Sequence, residues 1–359
     1  MAILSEIRLH DFRNYERLRL PLTPGITVLL GDNGQGKTSI LEAIYFLSLL
    51  RSFRTHKPRH LSRWGQGEFT LHGVLQAENH EQRLAVRHGG DSRVLRHNGE
   101  PVARASDFIR QFFCVAFVPD DLGLMQGAGS ERRRFLDIQL CQLCPSYLAA
   151  AQNYAKALKS RNSLLRREHS DTRAIAAFDS VLVPYGQQII QRRDEYAAAL
   201  SGEVGRLAPQ MFAESCELRI RYRPSAKSEA LADALEQHRD RDIQRRQTQV
   251  GPHRDELVIT LDGKSLSHFG SEGQCRLAAL VLKMAAARLL SAADGDQPTM
   301  LLVDDVIGEL DDGRRDAFFA ALRPASQVCF ACTSADVAES LAPATIIDVR
   351  EGQALERGE

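Results

Sequence analysis

One stretch decides the fold of this 359-residue chain: Gly31-Asp32-Asn33-Gly34-Gln35-Gly36-Lys37-Thr38. It fits the pattern G-x-x-x-x-G-K-[ST], in which glycines let backbone N–H groups turn inward around phosphate oxygens. Before it, Ile7 to Leu20 and Gly25 to Leu30 have the aliphatic and β-branched residues of short strands. After it, the apolar residues between Thr38 and Leu50 recur at helical spacing. The sequence therefore predicts a strand, a phosphate-binding loop and a helix, as in an α/β fold.

The residue types in this loop indicate a nucleoside triphosphate with Mg²⁺. We expect Lys37 to reach the β and γ phosphates and the Thr38 hydroxyl to ligate Mg²⁺. No lysine is followed two residues later by Asp, so the guanine-reading motif N-K-x-D is absent. This omission favours ATP over GTP. All eight residues from Gly31 to Thr38 are therefore expected to bind ATP.

A second stretch supplies carboxylates: Met300-Leu301-Leu302-Val303-Asp304-Asp305. An apolar strand that ends in acids is common and by itself says little. Beside a phosphate loop, however, it has the composition of a metal-positioning element. We expect Asp304 to ligate Mg²⁺, and Asp305 to orient or deprotonate the attacking water.

Ser271-Glu272-Gly273-Gln274 precedes an apolar segment from Leu277 to Leu290. Ser-x-Gly-Gln before a helix resembles the signature of ABC-type ATPases. There the Ser271 hydroxyl, the Gly273 backbone and the positive helix end would contact the γ phosphate held by a second subunit. A polar N-cap in front of a core helix is the simpler alternative. Residues 308–311 resemble the companion D-loop.

Other motifs extend the resemblance along the chain: Phe12-Arg13-Asn14-Tyr15, Leu41-Glu42-Ala43-Ile44-Tyr45, Arg51-Ser52-Phe53-Arg54-Thr55, Glu131-Arg132-Arg133-Arg134-Phe135-Leu136-Asp137 and Gly251-Pro252-His253-Arg254-Asp255. With them the sequence resembles the RecF family, bacterial recombination and replication-repair ATPases of the SMC and ABC superfamily. The resemblance implies an ABC-type P-loop ATPase head with an inserted helical lobe and no long coiled coil. It also implies an ATP-dependent homodimer on gapped or single-stranded DNA, mediator partners of the RecR and RecO type, help in recombinase loading, and SOS induction.

Three departures from the wider ABC pattern bear on catalysis. Asp305 stands where a glutamate is usual, and its side chain is one methylene shorter, so slow hydrolysis that acts as a timer is expected. Phe117-Val118-Pro119-Asp120-Asp121 replaces the Q-loop glutamine. Cys332-Thr333-Ser334 replaces the switch histidine, which leaves Thr333 as a weak candidate sensor of the γ phosphate.

The pattern between Ser130 and about Glu214 is almost wholly helical, with Pro145 and Pro184 as punctuation. We therefore predict an ATPase lobe formed by residues 1–120 and 245–359, with residues 121–244 as the inserted helical lobe. The insert is too short and too interrupted by proline for the coiled-coil arms of an SMC-type DNA organiser.

Lys and Arg together equal Asp and Glu, 46 against 46, so any DNA site must be a local patch. Three basic clusters are candidates, the first of them with Phe53 and Trp64 among its residues. They are Arg51, Arg54, His56, Lys57, Arg59, His60 and Arg63; then Arg132, Arg133 and Arg134; then Lys156, Lys159, Arg161, Arg166 and Arg167. A solvated surface is the ordinary explanation for each, and Arg54 is an alternative ligand for a nucleotide phosphate.

Composition restricts the remaining classes. No apolar run is long enough for a membrane span, and the first residues lack the pattern of a signal peptide, so a cytoplasmic protein without a membrane partner is expected. Because the chain has seven cysteines and no export signal, we expect reduced thiols. We interpret the pairs Cys141/Cys144 and Cys329/Cys332 as small buried residues rather than as zinc ligands. The basic segments argue against a transporter ATPase subunit, and the segment at Ser271 argues against a metabolic kinase.

Overall fold

The computed structural model describes residues 2–77, 80–90, 92–167, 171–212, 216–293, 297–306, 308, 310–322, 325–341 and 343–357. By their contacts the residues form two compact units. The first unit contains residues 1–121 and 283–359, and the second contains residues 122–282. No helix in the described ranges is long and apolar enough to cross a lipid bilayer.

The strands are β1 (Ile3–Phe12), β2 (Tyr15–Pro21), β3 (Gly25–Leu30), β4 (Glu68–Ala77), β5 (His80–Gly89), β6 (Ser92–His97), β7 (Glu100–Pro101), β8 (Phe113–Phe117), β9 (Leu218–Arg223), β10 (Glu256–Leu261), β11 (Lys264–Ser265), β12 (Thr299–Asp304), β13 (Gln327–Cys332), β14 (Ala344–Arg350) and β15 (Gln353–Glu356).

The α-helices are α1 (Lys37–Leu49), α2 (Ala105–Ile109), α3 (Leu122–Gln126), α4 (Gly129–Leu143), α5 (Pro145–Leu165), α6 (Thr172–Met211), α7 (Leu231–Gln237), α8 (Arg239–Arg245), α9 (Leu266–Phe269), α10 (Glu272–Ser291), α11 (Asp312–Leu322) and α12 (Ala335–Ser340). Short 3-10 turns lie at Pro58–Leu61, Pro119–Asp121 and Pro252–Arg254.

The first unit contains two six-stranded sheets. One is antiparallel, in the order β2-β1-β4-β5-β6-β7, and the other has the order β15-β14-β3-β13-β12-β8. In the second sheet, β14, β3, β13, β12 and β8 are parallel, and only β15 is antiparallel to its neighbour. Val303 lies in β12 between two parallel strands, as the apolar run before Asp304 predicted.

Helix α1 lies in the core between these sheets, and every residue of it except Thr38 is buried. Such complete burial explains why its sequence is apolar on all sides rather than on one stripe. Phe46 of α1 packs edge-on against Phe69 of β4, with ring centroids 5.4 Å apart, and Phe12 of β1 packs on Phe69 at 5.2 Å. Ser48 donates a hydrogen bond of 2.9 Å to the carbonyl of Phe112, just before β8.

The second unit is built on α5 and the 40-residue α6 and carries a three-stranded sheet in the order β11-β10-β9. Pro145 begins α5, whereas Pro184 lies inside α6 and does not end it. A buried stripe that includes Leu182, Ile189 and Leu200 continues past this proline. The burial of that stripe outweighs the roughly 3 kcal/mol that a proline costs inside a helix.

The end of the second unit differs from the prediction: the insert was predicted to end at residue 244, and the unit ends at residue 282. Residues 245–282 share their contacts with the helical unit, because β10 pairs with β9 along six residues from Glu256 to Leu261. The insert is therefore a mixed unit with its own sheet. The first boundary, between Asp121 and Leu122, lies within one residue of the predicted position.

Candidate nucleotide site

The strand order brings the phosphate loop at Gly31 to Thr38 and the acidic stretch at Asp304 and Asp305 to one edge of the parallel sheet. Ala331 of β13 is paired with Leu29 of β3 on one side and with Asp304 of β12 on the other. Because parallel strands share their carboxyl ends, the loop after Leu30 and the acids after Val303 are placed about 10 Å apart at the backbone. This is the edge at which open α/β sheets bind ligands.

Two glycines of the loop are required by close contacts. A Cβ atom at Gly31 would lie 2.3 Å from the carbonyl oxygen of Val349. Gly36 has φ of 115°, and a Cβ there would lie 2.5 Å from the hydroxyl of Tyr15. Both positions therefore exclude a side chain, and the loop stays pressed against β14 and the β1–β2 turn.

Lys37 and Thr38 begin α1 and point to different partners. The Lys37 ammonium donates to the carbonyls of Gly31 at 2.5 Å and Asp32 at 2.8 Å, which holds it within the loop. The Thr38 hydroxyl lies 2.9 Å from each carboxylate oxygen of Asp304. A hydroxyl and a buried carboxylate in contact are hard oxygen ligands of the kind that Mg²⁺ prefers.

The two carboxylates after β12 have different environments. Asp304 is 8% exposed, and burial raises its pKa against the opposing hydrogen bond from Thr38. Asp305 is exposed and has φ of 51°, a left-handed conformation that Asp tolerates better than most residues. Its backbone N–H donates to Ala331 at 3.2 Å. Asp304 is thus buried and held by Thr38, whereas Asp305 faces a solvent-accessible space.

A cavity of about 930 Å³ surrounds these groups. Lys37, Thr38, Asp304 and Asp305 line one part of it. The rest of the lining comes from the β1–β2 turn and from the segment after α1, and includes Arg13, Asn14, Arg54, Arg59, His60, Arg63 and Trp64. Its size suits a nucleotide, since ligand pockets commonly enclose about 300–1,000 Å³.

Three of the motifs that carried the RecF resemblance meet at one buried carboxylate, Glu42 of α1. Arg13 donates to both Glu42 oxygens at 2.7 Å, and the Ser52 hydroxyl donates to it at 2.5 Å. Arg54 lies 3.6 Å from the same carboxylate. Ser52 in turn accepts 2.9 Å hydrogen bonds from the backbone N–H groups of Arg54 and Thr55. These motifs therefore build a wall of the cavity and hold two arginines beside the phosphate loop.

One ion pair, between Lys283 and Asp121, was not predicted from the sequence. Lys283 of α10 donates to Asp121 and to the carbonyl of Ala116. Asp121 also accepts from the Val118 N–H at 2.8 Å. Asp121 is thus held by these partners and does not line the cavity, whereas Pro119, from the stretch that replaces the Q-loop, does. In the sequence, the one sign of this ion pair was Lys283, a lysine within the apolar run from Leu277 to Leu290.

Ser271 stands at the start of α10 and forms a capping box with Gln274. The Ser271 N–H donates to the Gln274 side chain at 3.0 Å, and the Gln274 N–H donates to the Ser271 hydroxyl at 3.3 Å. Both side chains are exposed. Ser271 belongs to the second unit, whereas the cavity at Lys37 is lined by residues of the first. The N-cap alternative is thus realised, and the exposed hydroxyl is available for a further contact.

Two weaker predictions have mixed outcomes. Thr333 is exposed just after β13 and is not among the residues that line the cavity. Of the D-loop stretch, Glu309 lies outside the described residues, and Asp311 accepts from the Arg314 N–H at 2.9 Å at the start of α11. A sensing role for Thr333 and a D-loop role for residues 308–311 stay predictions.

Two arginines of the basic clusters contradict the expectation of DNA contact. Arg132 is 8% exposed and bonded to Glu256, and Arg161 is fully buried between Asp179 and Asp242. Buried, paired guanidiniums organise the second unit instead of meeting a ligand. In the first cluster, Arg54, Arg59, His60 and Arg63 line the nucleotide cavity, which supports the alternative that Arg54 serves a nucleotide phosphate.

Comparison with known proteins agrees with this geometry. The sequence profile of the "RecF/RecN/SMC N terminal domain" matches residues 3–353. A relative named DNA replication and repair protein RecF from Desulfitobacterium hafniense is 32% identical, with 97% of each chain covered. The chain belongs to the RecF family. RecF of Halalkalibacterium halodurans is 34% identical and covers 99% of this chain, and RecF of Lactococcus lactis is 36% identical over 87% of it.

Solved structures extend the RecF match to three dimensions. The recombination mediator protein RecF with ATP superposes with a TM-score of 0.88, at 28% identity and with 99% of each chain covered. An Smc head domain from Pyrococcus furiosus superposes with a TM-score of 0.57 at 15% identity, which shows a shared fold only. The chain therefore has the RecF form of the SMC head fold, and no long coiled coil occurs in its described residues.

Proposed function

We propose that this chain is an ATP-hydrolysing, DNA-binding protein of DNA replication and repair, which dimerises with ATP on gapped or single-stranded DNA. The single observation that carries the proposal is the contact of Thr38 with Asp304 beside the phosphate loop. It assembles a nucleotide site from two distant stretches in a chain whose RecF relatives cover nearly its full length.

Each loop residue has a task in ATP binding. The backbone from Gly31 to Gly36 cradles the phosphates, and the positive end of α1 faces them. Lys37 leaves the carbonyls of Gly31 and Asp32 to bind the β and γ phosphates, an exchange of neutral acceptors for charged ones. Thr38 and Asp304 fit Mg²⁺, which when bound would neutralise phosphate charge and draw the γ phosphate into position.

Hydrolysis relies on Asp305 as the group that orients or deprotonates water. Its shorter side chain must reach the water from a left-handed backbone, so turnover is slow, below the enzyme median of about 10 per second. ATP then acts as a timer for DNA binding and dimerisation. A steady-state turnover well above this value would contradict the timer.

The dimer forms by sharing two nucleotides. One copy holds ATP with Lys37, Thr38 and Asp304, and the other copy contacts its γ phosphate with the exposed Ser271 hydroxyl at the start of α10. The 20-residue α10 adds its positive end to this contact. ATP binding closes the dimer around DNA, and hydrolysis opens it.

The biological setting is proposed from the relatives. One solved structure that covers 99% of this chain is the recombination mediator protein RecF with ATP, of the RecFOR pathway. We infer partners of the RecR and RecO type, assistance to recombinase loading and to SOS induction, and a cytoplasmic location.

The composite site is tested by sizing the protein with ATP and gapped DNA. Ser271→Arg should keep ATP binding but remove the ATP-driven dimer, because the bulky cation blocks the γ-phosphate contact. Lys37→Ala should lose both. Ser160→Arg, at an exposed position of α5 in the same unit, is the matched control and should dimerise. If Ser271→Arg still dimerises with ATP, the shared site is wrong.

A further inference from the structure

The outward face of the antiparallel sheet carries a row of cationic side chains that cannot be read from the sequence order. The strand register places Arg19 opposite Arg8, Arg8 opposite His72, His72 opposite Ala85, and Ala85 opposite Arg96. Directly opposed residues point to the same face of a sheet. Across five strands this row spans about 19 Å, at about 4.8 Å per strand.

A second row lies beside the first, and each of its members is two residues away from the first row in the same strand. Arg17 is opposite His10, His10 is opposite Thr70, and Thr70 is opposite Arg87. The inward neighbours of these positions, such as Leu9 and Leu71, are buried in the core. The two rows therefore belong to a face whose alternation leaves its charges in solvent.

The arginines on this face extend into water. The side chains of Arg8, Arg19 and Arg83 are 54%, 72% and 75% exposed. Glu6 holds Arg8 and Arg19 by ion pairs of 2.5 Å each and is itself only 12% exposed. One carboxylate thus fixes two guanidiniums, and this group of three side chains keeps a net positive charge.

A shallow cavity of about 900 Å³ lies on the same face. Its lining contains five arginines, namely Arg8, Arg17, Arg19, Arg83 and Arg96, against two glutamates. The chain as a whole has a formal net charge of zero, so this face is a local positive patch. Burial lowers the pKa of His72, and the neighbouring Arg8 and His10 add a smaller lowering effect.

The chemistry of the face selects among nucleic-acid partners. Arginine forks bind phosphate oxygens, and a row of about 19 Å reaches across a major groove about 12 Å wide. Single-strand binders also need aromatic platforms for the bases. In the described part of this sheet, Phe12, Tyr15 and Phe69 are buried, and no exposed residue is a Phe, Tyr or Trp.

We propose that the outward face of this sheet binds the phosphate backbone of duplex DNA. This inference rests on the proposed DNA-binding function and deepens it. The duplex part of a gapped substrate lies on arginines of β1, β2, β5 and β6, and binding is independent of base sequence because only phosphates are contacted. None of the basic clusters noted in the sequence contains these arginines.

The test replaces three exposed arginines in one variant, Arg17→Gln, Arg83→Gln and Arg96→Gln. Affinity for a duplex of about 30 base pairs and for a single strand of equal length is measured with ATP between about 50 and 200 mM salt. The slope of log affinity against log salt should fall by roughly 2–3 for the duplex, about 0.9 for each lost phosphate contact. Duplex affinity at low salt should fall at least about tenfold.

Two matched variants separate DNA contact from charge and folding. Arg192→Gln, Arg206→Gln and Arg219→Gln make the same charge change at exposed positions of the second unit and should keep the slope. The variant with Arg17→Lys, Arg83→Lys and Arg96→Lys keeps the charge and should restore most of the affinity. ATP binding by every variant reports that the first unit is folded.

Unchanged duplex affinity and slope in the triple glutamine variant would overturn this inference and leave the proposed function standing. A loss confined to the single strand would also overturn it. If the unmodified protein binds neither DNA with ATP, the proposed function fails together with the inference.

Discussion

The Thr38 hydroxyl lies 2.9 Å from both carboxylate oxygens of Asp304, although 266 residues separate the two in sequence. The contact joins the first turn of α1 to the end of β12. It exists because β13 lies between β3 and β12 in the parallel sheet and sets both strand ends at one edge. The contact between Thr38 and Asp304 is therefore a property of the sheet order, not of either motif alone.

Asp304→Asn should abolish most hydrolysis while ATP still binds. Asn has the same shape and keeps one oxygen for Thr38, but it is neutral and a poor ligand for Mg²⁺. We expect the turnover number to fall at least about 100-fold, the scale of losing one electrostatic contact to the transition state. Phosphate release measures turnover, and Asp107→Asn, an exposed acid in α2, is the control that should leave it unchanged.

Glu42→Gln should destabilise the first unit. Glu42 is fully buried and holds Arg13 by two 2.7 Å hydrogen bonds, so its removal leaves a mostly buried cation without its partner. We expect a loss of about 2–3 kcal/mol, below the usual range for buried pairs because Arg13 is 20% exposed. Denaturant unfolding measures it.

Glu16→Gln is the matched control for this change, since Glu16 is 70% exposed and 3.5 Å from Arg63. Its effect should stay within about 0.5 kcal/mol. Equal unfolding midpoints for the Glu42 and Glu16 variants would mean that the buried network does not stabilise the unit.

The nucleotide site was largely predictable from sequence because its parts are short, local patterns with one chemical meaning. The loop at Gly31 to Thr38 needs a strand before it and a helix after it, and both were visible as changes of hydrophobic period. The apolar run into Asp304 is a parallel strand buried on both faces, and the phosphate loop gave this otherwise common pattern its meaning.

The features that could not be predicted from sequence depend on contacts between residues far apart in the chain. The fates of Arg132 and Arg161 were not predictable, because their partners Glu256, Asp179 and Asp242 lie up to 124 residues away. The arginine rows of the antiparallel sheet were missed for a related reason. Arg8, Arg83 and Arg96 are scattered in the sequence and become neighbours only through strand register.

Trp64 should report ATP binding. It is the only tryptophan of the chain, it is 97% exposed, and it lines the cavity that contains Lys37. We expect the phosphates at Lys37 and the base toward the segment that carries Trp64, so the tryptophan emission should change as ATP saturates the site. Trp64→Ala should weaken ATP binding roughly fivefold, or about 1 kcal/mol, if the rings stack.

Lys37→Ala provides the control for this signal and should remove the ATP-dependent change in emission. Emission that stays constant while a radiolabelled nucleotide binds would place the base away from Trp64.

His253 should make the second unit less stable in mild acid. Its Nε2 lies 3.1 Å from the Thr248 carbonyl, which can only accept, so Nε2 carries the proton and Nδ1 accepts from the Tyr154 hydroxyl at 2.8 Å. Burial lowers the pKa of His253 to about 4, with nearby arginines adding to the effect. The folded unit therefore holds the neutral imidazole in which each nitrogen has a partner.

The sign follows from proton uptake. Between pH 6.5 and about 4 the unfolded chain binds a proton at this histidine that the folded chain refuses, so stability falls as the pH falls through this window. From pH 7 to pH 5 the loss in free energy of unfolding should be about 2 kcal/mol.

Urea unfolding at several pH values measures this loss. The His253→Gln variant has no imidazole to protonate, so its free energy of unfolding should fall by about 2 kcal/mol less over this pH range. His268→Gln, an exposed histidine of the same unit, should retain the full dependence of the unmodified protein. Identical pH profiles for the His253 variant and the unmodified protein would assign the acid sensitivity to other groups.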